Sequence, residues 1–352
     1  HHIGELVHIQ VEDEPGYCED DDTSIHVKPF RDEPKLALPD GTVTGITDTT
    51  LIGIDWGTTA LRAYRFGGDG AVVDRRVSAH GILAVAEGSF DAVFEETVAG
   101  WPDCPVVISG MITSRQGWLE LPYLMCPAPV GTLADALHRH RCESGRTVHF
   151  VTGLKVRDTA GVPDVMRGEE TQILGAITVG ATEPRLLVLP GTHSKWVLVK
   201  GDEVSGFSTF MTGEVFAVLK EHSILGRMTT GETRDQAAWR RGVAYGLDES
   251  SDHGGLLRRL FSARSLALFD ELPRAGVASY LSGLLLGAEV REARHFFGAR
   301  VSGGSVLLLG SAALCDLYAE ALAFAGLSAE RGPDDAAARG HWRIAAAADL
   351  LT

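Results

Sequence analysis

The chain has 352 residues, long for a single hydrophobic core and suited to two packed domains. Apolar content of 45% with 22% charged residues excludes wholesale disorder and collagen-like order. A formal net charge of −15 argues against a nucleic-acid or anionic-membrane surface, while leaving room for a local anion site made of backbone amides. The 41 glycines exceed the ~7% usual share and predict many tight turns, as where strands, loops and helices alternate. Five scattered cysteines (Cys18, Cys104, Cys126, Cys142, Cys315) form no CxxC pair, so reduced thiols are expected rather than a disulfide framework or a zinc site. No secretory leader pattern opens the sequence. Asp316 and Glu320 interrupt the apolar run 306–326, which predicts a strand and a helix rather than a membrane span. A soluble, cytoplasmic protein is the expectation.

Residues 1–50 carry twelve Asp/Glu and three Lys/Arg, a net of −9, which leaves −6 for the remainder. The run Glu19-Asp20-Asp21-Asp22 and the spaced Pro15, Pro29, Pro34 and Pro39 suit an irregular acidic extension over 1–48, or a segment introduced for expression. The opening His1-His2 fits a tag remnant, and alternation over 6–11 allows one short strand. From residue 51 the pattern changes. Residues 51–54 read as a short buried strand running into Asp55-Trp56-Gly57-Thr58-Thr59, and 60–66 as the returning strand of a hairpin. A third strand is predicted over 71–77, an amphipathic helix over 90–98 and a buried strand over 106–109. A helix follows over 169–178, then the strongest strand, 185–190, which breaks at Gly191-Thr192-His193-Ser194-Lys195 and resumes over 196–200. Strand 305–309, the turn Gly310-Ser311, helix 312–325 and an amphipathic helix 334–351 complete the chain. The strand–glycine turn–strand unit thus occurs twice, pointing to an α/β architecture of two related halves with a cleft between them.

Both turns have phosphate-binding chemistry. Gly57 lets the backbone turn sharply beside an anion, the amides and the Thr58 and Thr59 hydroxyls donate to phosphate oxygens, and Asp55 at the strand end suits Mg²⁺. Alone this is weak, because Asp-x-Gly-Thr also occurs in ordinary turns and in aspartic proteases, although the second Asp-Thr/Ser-Gly copy of a protease is absent. The second turn adds two hydroxyls, a lysine and amides freed by Gly191. One such hairpin would be read as a polar tip; two, each ending a buried strand, are better read as jaws on one phosphate chain. Neither GxxxxGK[ST] nor a GxGxxG after a strand occurs, which argues against a P-loop and a dinucleotide site. Between the turns, Arg167-Gly168-Glu169-Glu170 opens a helix. Paired acids there commonly only complement the helix dipole, worth ~0.3–1 kcal/mol. Equally, one could take a hydroxyl proton during attack on a γ-phosphate, with Arg167 binding a substrate carboxylate or offsetting transferring charge.

Several blocks, in order, resemble the 2-dehydro-3-deoxygalactonokinase family over about residues 51–352: Ile54-Asp55-Trp56-Gly57-Thr58-Thr59, Ser109-Gly110-Met111-Ile112, Ser114-Arg115-Gln116-Gly117-Trp118, Pro122-Tyr123, Met166-Arg167-Gly168-Glu169-Glu170-Thr171, Pro190-Gly191-Thr192-His193-Ser194-Lys195-Trp196, Met211-Thr212-Gly213-Glu214 and Leu281-Ser282-Gly283-Leu284-Leu285-x-Gly287-Ala288-Glu289. Thr113 stands where the family usually has glycine. The resemblance implies ATP-dependent phosphorylation of the terminal hydroxyl of 2-dehydro-3-deoxy-D-galactonate, giving the 6-phosphate. It implies two ribonuclease-H-like domains of the actin/hexokinase-type ATPase fold closing over an interdomain cleft, expected at 49–178 and 179–332, with 333–352 a C-terminal helix packing back on the first.

By the same resemblance, Asp55 (also the Mg²⁺ ligand), Gly57, Thr58 and Thr59 form the first phosphate loop, Gly191, Thr192, His193, Ser194 and Lys195 the second, and Gly310-Ser311 the adenosine-side loop. It favours Glu170 over Glu169 as the base. The small keto-acid substrate needs a cation or amide cluster, which Ser114, Arg115 and Gln116 with Gly110, Met111, Trp118 and Tyr123 offer; as surface Arg and core filler, Arg115 and Trp118 would be ordinary. The competing readings are a nucleotide-switched binding protein of the same fold, disfavoured by the 114–123 and 167–170 blocks, and a phosphatase or polyphosphatase using the same glutamate against water. Epimer preference and a homodimer stay open.

Overall fold

The computed structural model describes residues 49–86, 88–178, 180–229, 234–298 and 305–351. The acidic extension over 1–48, its short strand, its histidines and Cys18 lie outside the described residues. In chain order the elements are β1 (Thr49–Trp56), β2 (Leu61–Gly67), β3 (Val72–Ser78), α1 (Phe90–Val98), β4 (Val106–Ser109), β5 (Leu124–Met125), β6 (Ala128–Pro129), α2 (Val130–Asp135), β7 (His138–Arg141), β8 (Thr147–Phe150), β9 (Leu154–Arg157), β10 (Pro163–Met166) and α3 (Glu169–Ala176). There follow β11 (Arg185–Leu189), β12 (Ser194–Lys200), β13 (Glu203–Phe210), α4 (Thr212–His222), α5 (Gln236–Leu247), α6 (Leu256–Leu260), α7 (Ser262–Leu268), α8 (Val277–Phe297), β14 (Val306–Leu308), α9 (Ala312–Phe324), β15 (Ala329–Arg331) and α10 (Ala336–Ala347).

The first sheet runs β3-β2-β1-β4-β8-β7 and the second β15-β14-β11-β12-β13-β6. In each, an antiparallel three-strand meander (β1–β2–β3, β11–β12–β13) is followed by two strands added parallel on the far side of the first strand: β4 and β8, then β14 and β15. That order is the ribonuclease-H-like sheet, present twice, and the fold is the α/β fold of the actin/hexokinase-type ATPases. β1 and β11 read as near-continuous apolar runs because both are central strands covered on both faces. A short third sheet, β10-β9-β5, leads into α3.

One core cluster takes side chains from both large sheets, with Leu51, Tyr64 and Val107 joining Leu187, Val197 and Phe207. Each fully buried aliphatic chain of this kind contributes about 1.5–3 kcal/mol. α10 adds Ala336, Ala338, Ile344 and Ala345 to that cluster and packs on α2, α3 and β1. It lies so close to α3 that a Cβ on Gly175 would fall 1.8 Å from the Ala336 carbonyl oxygen, and one on Gly340 1.9 Å from that of Thr171. α8 and α5 likewise meet backbone to backbone, which accounts for Gly283 and Gly287 in the block that ends at Glu289. Pattern reading assigns nothing between 201 and 304, where the structure has β13 and α4 to α8. No described helix is long and apolar enough to cross a membrane. Cys104, Cys126, Cys142 and Cys315 are free, and burial pushes the thiols of Cys126 and Cys142 up to about 12, so they stay protonated at neutral pH.

Candidate active site

The first hairpin is closed by the Gly57 amide donating to the Ala60 carbonyl at 2.9 Å, and is braced by Ile82 and Leu83 amides on the Gly57 and Thr58 carbonyls. Thr58 and Thr59 are exposed at its tip. Asp55, only 7% exposed, lies at the C-terminal end of β1 beside Ser109 at the end of parallel β4, so both strand ends open on one spot. Arg62 reaches the Asp55 carboxylate at 3.3 Å. Burial raises that carboxyl above its ordinary range and Arg62 offsets only part of the rise. A buried carboxylate with one weak partner, at a strand end beside an open turn, offers the hard oxygen that Mg²⁺ requires.

Gly110 (φ 108°) follows β4 so closely under Trp56 that a Cβ would lie 2.5 Å from the Trp56 carbonyl oxygen, and Gly168 (φ 107°) in turn packs on the Gly110 Cα. These two contacts draw the start of α3 against the first hairpin. Glu169 accepts the Arg167 amide at 3.0 Å and Glu170 the Gly168 amide at 2.7 Å, so both acids complement the helix N-terminus. Their surroundings differ. Glu170 has no exposed surface, and burial next to Glu169 pushes its carboxyl up to about 8. Glu169 is only partly buried and feels charges from both halves: burial raises its carboxyl, the Lys195 ammonium pulls it back, and Asp55 adds to the rise. Exposure favours Glu169 over Glu170 for contact with a hydroxyl, the reverse of the order that the resemblance gives.

Arg167 is also placed differently from expectation. Its buried guanidinium donates to Thr113 Oγ1 at 2.6 Å, the Leu121 carbonyl at 2.8 Å and the Tyr123 hydroxyl at 3.3 Å, and lies over the Tyr123 ring. Three of its five donors are thus committed to holding the 113–123 loop, so Arg167, with Tyr123, supports that loop. Thr113, the residue in the family's glycine position, is one of the anchors. Trp118 is partly buried and packs at the edge of the core against Trp56, Phe90, Phe94, His140 and Phe150, contacts that give it a structural role. Arg115 and Gln116 are exposed at the tip of the same loop, beside a Ser114 hydroxyl shielded from solvent and without a hydrogen-bond partner. Met111 lies half-buried at the edge of the core.

In the second half, Thr192 and His193 are exposed at the hairpin tip, whereas Ser194 and Lys195 point inward. The Ser194 hydroxyl is bonded within the core to Tyr318 and Glu289, which removes it from the expected set of phosphate donors. Lys195 Nζ donates to the Val165 carbonyl at 2.9 Å and to Thr209 Oγ1 at 2.8 Å, so it ties β12 to the strand that leads into α3. Asp164 accepts the Thr209 amide and hydroxyl at 2.7 and 2.6 Å, a second tie at the same place. His193 pairs with Glu214 of α4. The exposed Gly310-Ser311 turn lies near the second hairpin, a Cβ on Gly310 being 3.6 Å from the Pro190 carbonyl oxygen, and Ser311 caps α9. Sequence reasoning missed Thr209 and Tyr318; Ser194, Trp196, Thr212 and Glu289 stand in the family blocks, but nothing in those blocks shows that they meet.

Residues 55–344 match the family model for 2-keto-3-deoxy-galactonokinase. A protein named as a probable 2-dehydro-3-deoxygalactonokinase from Rhizobium meliloti (strain 1021) is 36% identical over 302 residues, covering 84% of this chain and 96% of the relative. The 2-dehydro-3-deoxygalactonokinase of Escherichia coli (strain K12) is 36% identical over 247 residues, covering 70% of this chain and 80% of that one. A crystal structure from Sinorhizobium meliloti, described as a candidate 2-dehydro-3-deoxygalactonokinase, superposes with a TM-score of 0.75 at 36% identity, over 85% of this chain and 98% of its own.

Proposed function

Because this chain belongs to the 2-keto-3-deoxy-galactonokinase family, we propose that it transfers the γ-phosphoryl group of ATP to the 6-hydroxyl of 2-dehydro-3-deoxy-D-galactonate, a step in galactonate breakdown in the cytoplasm. The observation that carries the assignment of roles is the setting of Glu169. It opens α3 beneath the first hairpin, is partly exposed, and interacts with Asp55 of one half and Lys195 of the other.

Glu169 takes the proton of the 6-hydroxyl as that oxygen bonds to the γ-phosphorus and the bond to the bridging oxygen breaks, releasing ADP. Partial burial makes the carboxylate a better base than a free one, and the Lys195 ammonium acts against that rise. Amides and hydroxyls of Gly57, Thr58 and Thr59 hold phosphate oxygens from one side, and Gly191, Thr192 and His193 from the other. Gly310 and Ser311 border the adenosine. Arg115 and the unpartnered Ser114 hydroxyl receive the substrate carboxylate, with Gly110, Met111 and Gln116 around them. Asp55 would hold Mg²⁺, which when bound neutralises phosphate charge.

The test is an ADP-release assay over six-carbon 2-keto-3-deoxy acids, with the product's phosphorylated position read by NMR. ADP formed with the galacto acid, and a phosphate on its 6-position, is the expected result. Phosphate release in the absence of any sugar acid would replace the kinase with a phosphatase. A strong preference for the gluco epimer would overturn the named substrate but keep the reaction.

A further inference from the structure

Glu289 stands in the interior of α8, 2% exposed, and no step above uses it. A carboxylate this deep is costly unless its oxygens are satisfied. Here they are: Trp196 Nε1 donates to Oε1 at 2.7 Å, the Tyr318 hydroxyl lies 3.0 and 2.9 Å from the two oxygens, and Ser194 Oγ is 3.3 Å from Oε2. Ser194 and Tyr318 are themselves 2.6 Å apart. Burial raises the Glu289 carboxyl, and hydrogen bonds from Thr212, Trp196, Tyr318 and Ser194 act against that rise.

The four groups have a common address. Ser194 is the last residue of the second hairpin and the first of β12, Trp196 stands two residues further on, Thr212 opens α4, and Tyr318 belongs to α9, the helix that starts at Ser311. The hairpin and α4 are in direct contact: the Glu214 amide donates to the Thr192 carbonyl at 3.0 Å, and a Cβ on Gly213 would lie 2.5 Å from the Gly191 carbonyl oxygen. One buried carboxylate therefore fixes the hairpin, the helix start that cradles it and the helix behind the Gly310-Ser311 turn.

We infer that Glu289 is a positioning residue for nucleotide binding: acting through Ser194 and Trp196, it sets the backbone of 191–193 so that its amides face the phosphates. It rests on the phosphate-binding role proposed for this hairpin. A carboxylate suits the position because Trp196 Nε1 and at least one of the two mutually bonded hydroxyls, Ser194 and Tyr318, donate to it. A glutamine side chain would keep the volume but place an NH₂ against one of those donors.

The experiment measures Kd for a non-hydrolysable ATP analogue by calorimetry, with steady-state kinetics in parallel, on the full chain and on Glu289→Gln and Tyr318→Phe. Glu289→Gln is expected to weaken nucleotide binding about tenfold and Tyr318→Phe about threefold, with KM for the sugar acid within about twofold of the parent. Nucleotide affinity unchanged in either folded variant would overturn the inference. So would a sugar-acid KM rising in step with the nucleotide Kd, since that reports general loosening. Should Glu289→Gln fail to fold, Tyr318→Phe alone decides. A parent chain that does not bind the analogue would sink the kinase site itself, and the inference with it.

Discussion

The two halves repeat one sheet order but secure their hairpins by different means. The turn of the first hairpin, 57–60, is braced chiefly through backbone: amides of Gly57, Ile82 and Leu83, and close packing under Gly81. The second, 191–194, has one backbone bond from α4 and is held besides by side chains, with Ser194 on Glu289 and Tyr318, and Lys195 bonded across to Val165. The first half contributes acids, Asp55 and Glu169, whereas the second contributes Lys195 and donors. A duplicated fold thus carries two hairpins with unlike surroundings, acidic beside the first and with the Lys195 ammonium of the second acting on Glu169.

The sharpest way to break this comparison is at the acids. Glu169→Gln is expected to lower the single-turnover rate by about 10²–10⁴ with ATP affinity retained, as for loss of a general base. Glu170→Gln should stay within about threefold of the parent, because its side chain is sealed off. Rapid-quench kinetics on both variants checks this, and a large loss confined to Glu170→Gln would reverse the assignment. Next in size, Asp55→Asn should lower turnover by about 10–100-fold and recover part of it at high Mg²⁺, since Asn keeps one oxygen but loses the charge. A magnesium titration that leaves the deficit constant would remove Asp55 from the metal role.

The smallest effect sharpens the contrast between the adjacent glutamates. Burial raises the Glu170 carboxyl from 4.5 to about 8, so the folded chain binds that proton more tightly than the unfolded chain. Its contribution to stability is therefore complete below the unfolded value and is lost as pH rises through the folded one. Gln cannot ionise, so Tm of Glu170→Gln relative to the parent should improve steadily between about pH 5 and pH 8. Parallel melting curves across that range would show that Glu170 does not titrate there.

The hairpins and the paired glutamates were legible because each is contiguous, and glycine, hydroxyl and acid at fixed spacing advertise their chemistry. The supports were not. Arg167 meets Thr113 across 54 residues, Ser194 meets Glu289 across 95, and Ser109 meets His341 across 232. No local period encodes such pairs. Helical spacing shows that Glu169 and Glu170 diverge by about 100° but not which one faces the cleft. The sequence leaves Trp118 between core filler and substrate contact, and only the structure shows five rings from four segments packed against it. α8 escaped pattern reading because its stretch 277–290 is buried nearly all round and shows no polar face, the charged residues coming only in its last turns.

α10 adds a consequence for biosynthesis. His341 lies so close to β1 that a Cβ on Gly53 would be 2.8 Å from it, its Nε2 meets Ser109 at 2.9 Å, and the helix presses on α3 through Gly340. The half that leaves the ribosome first is thus completed by a helix translated after the entire second half. Domains ordinarily mature in order of synthesis. Here the nascent first half must wait, with the faces of β1 and α3 uncovered, until residues 336–347 have been made, so the two halves reach their finished form together.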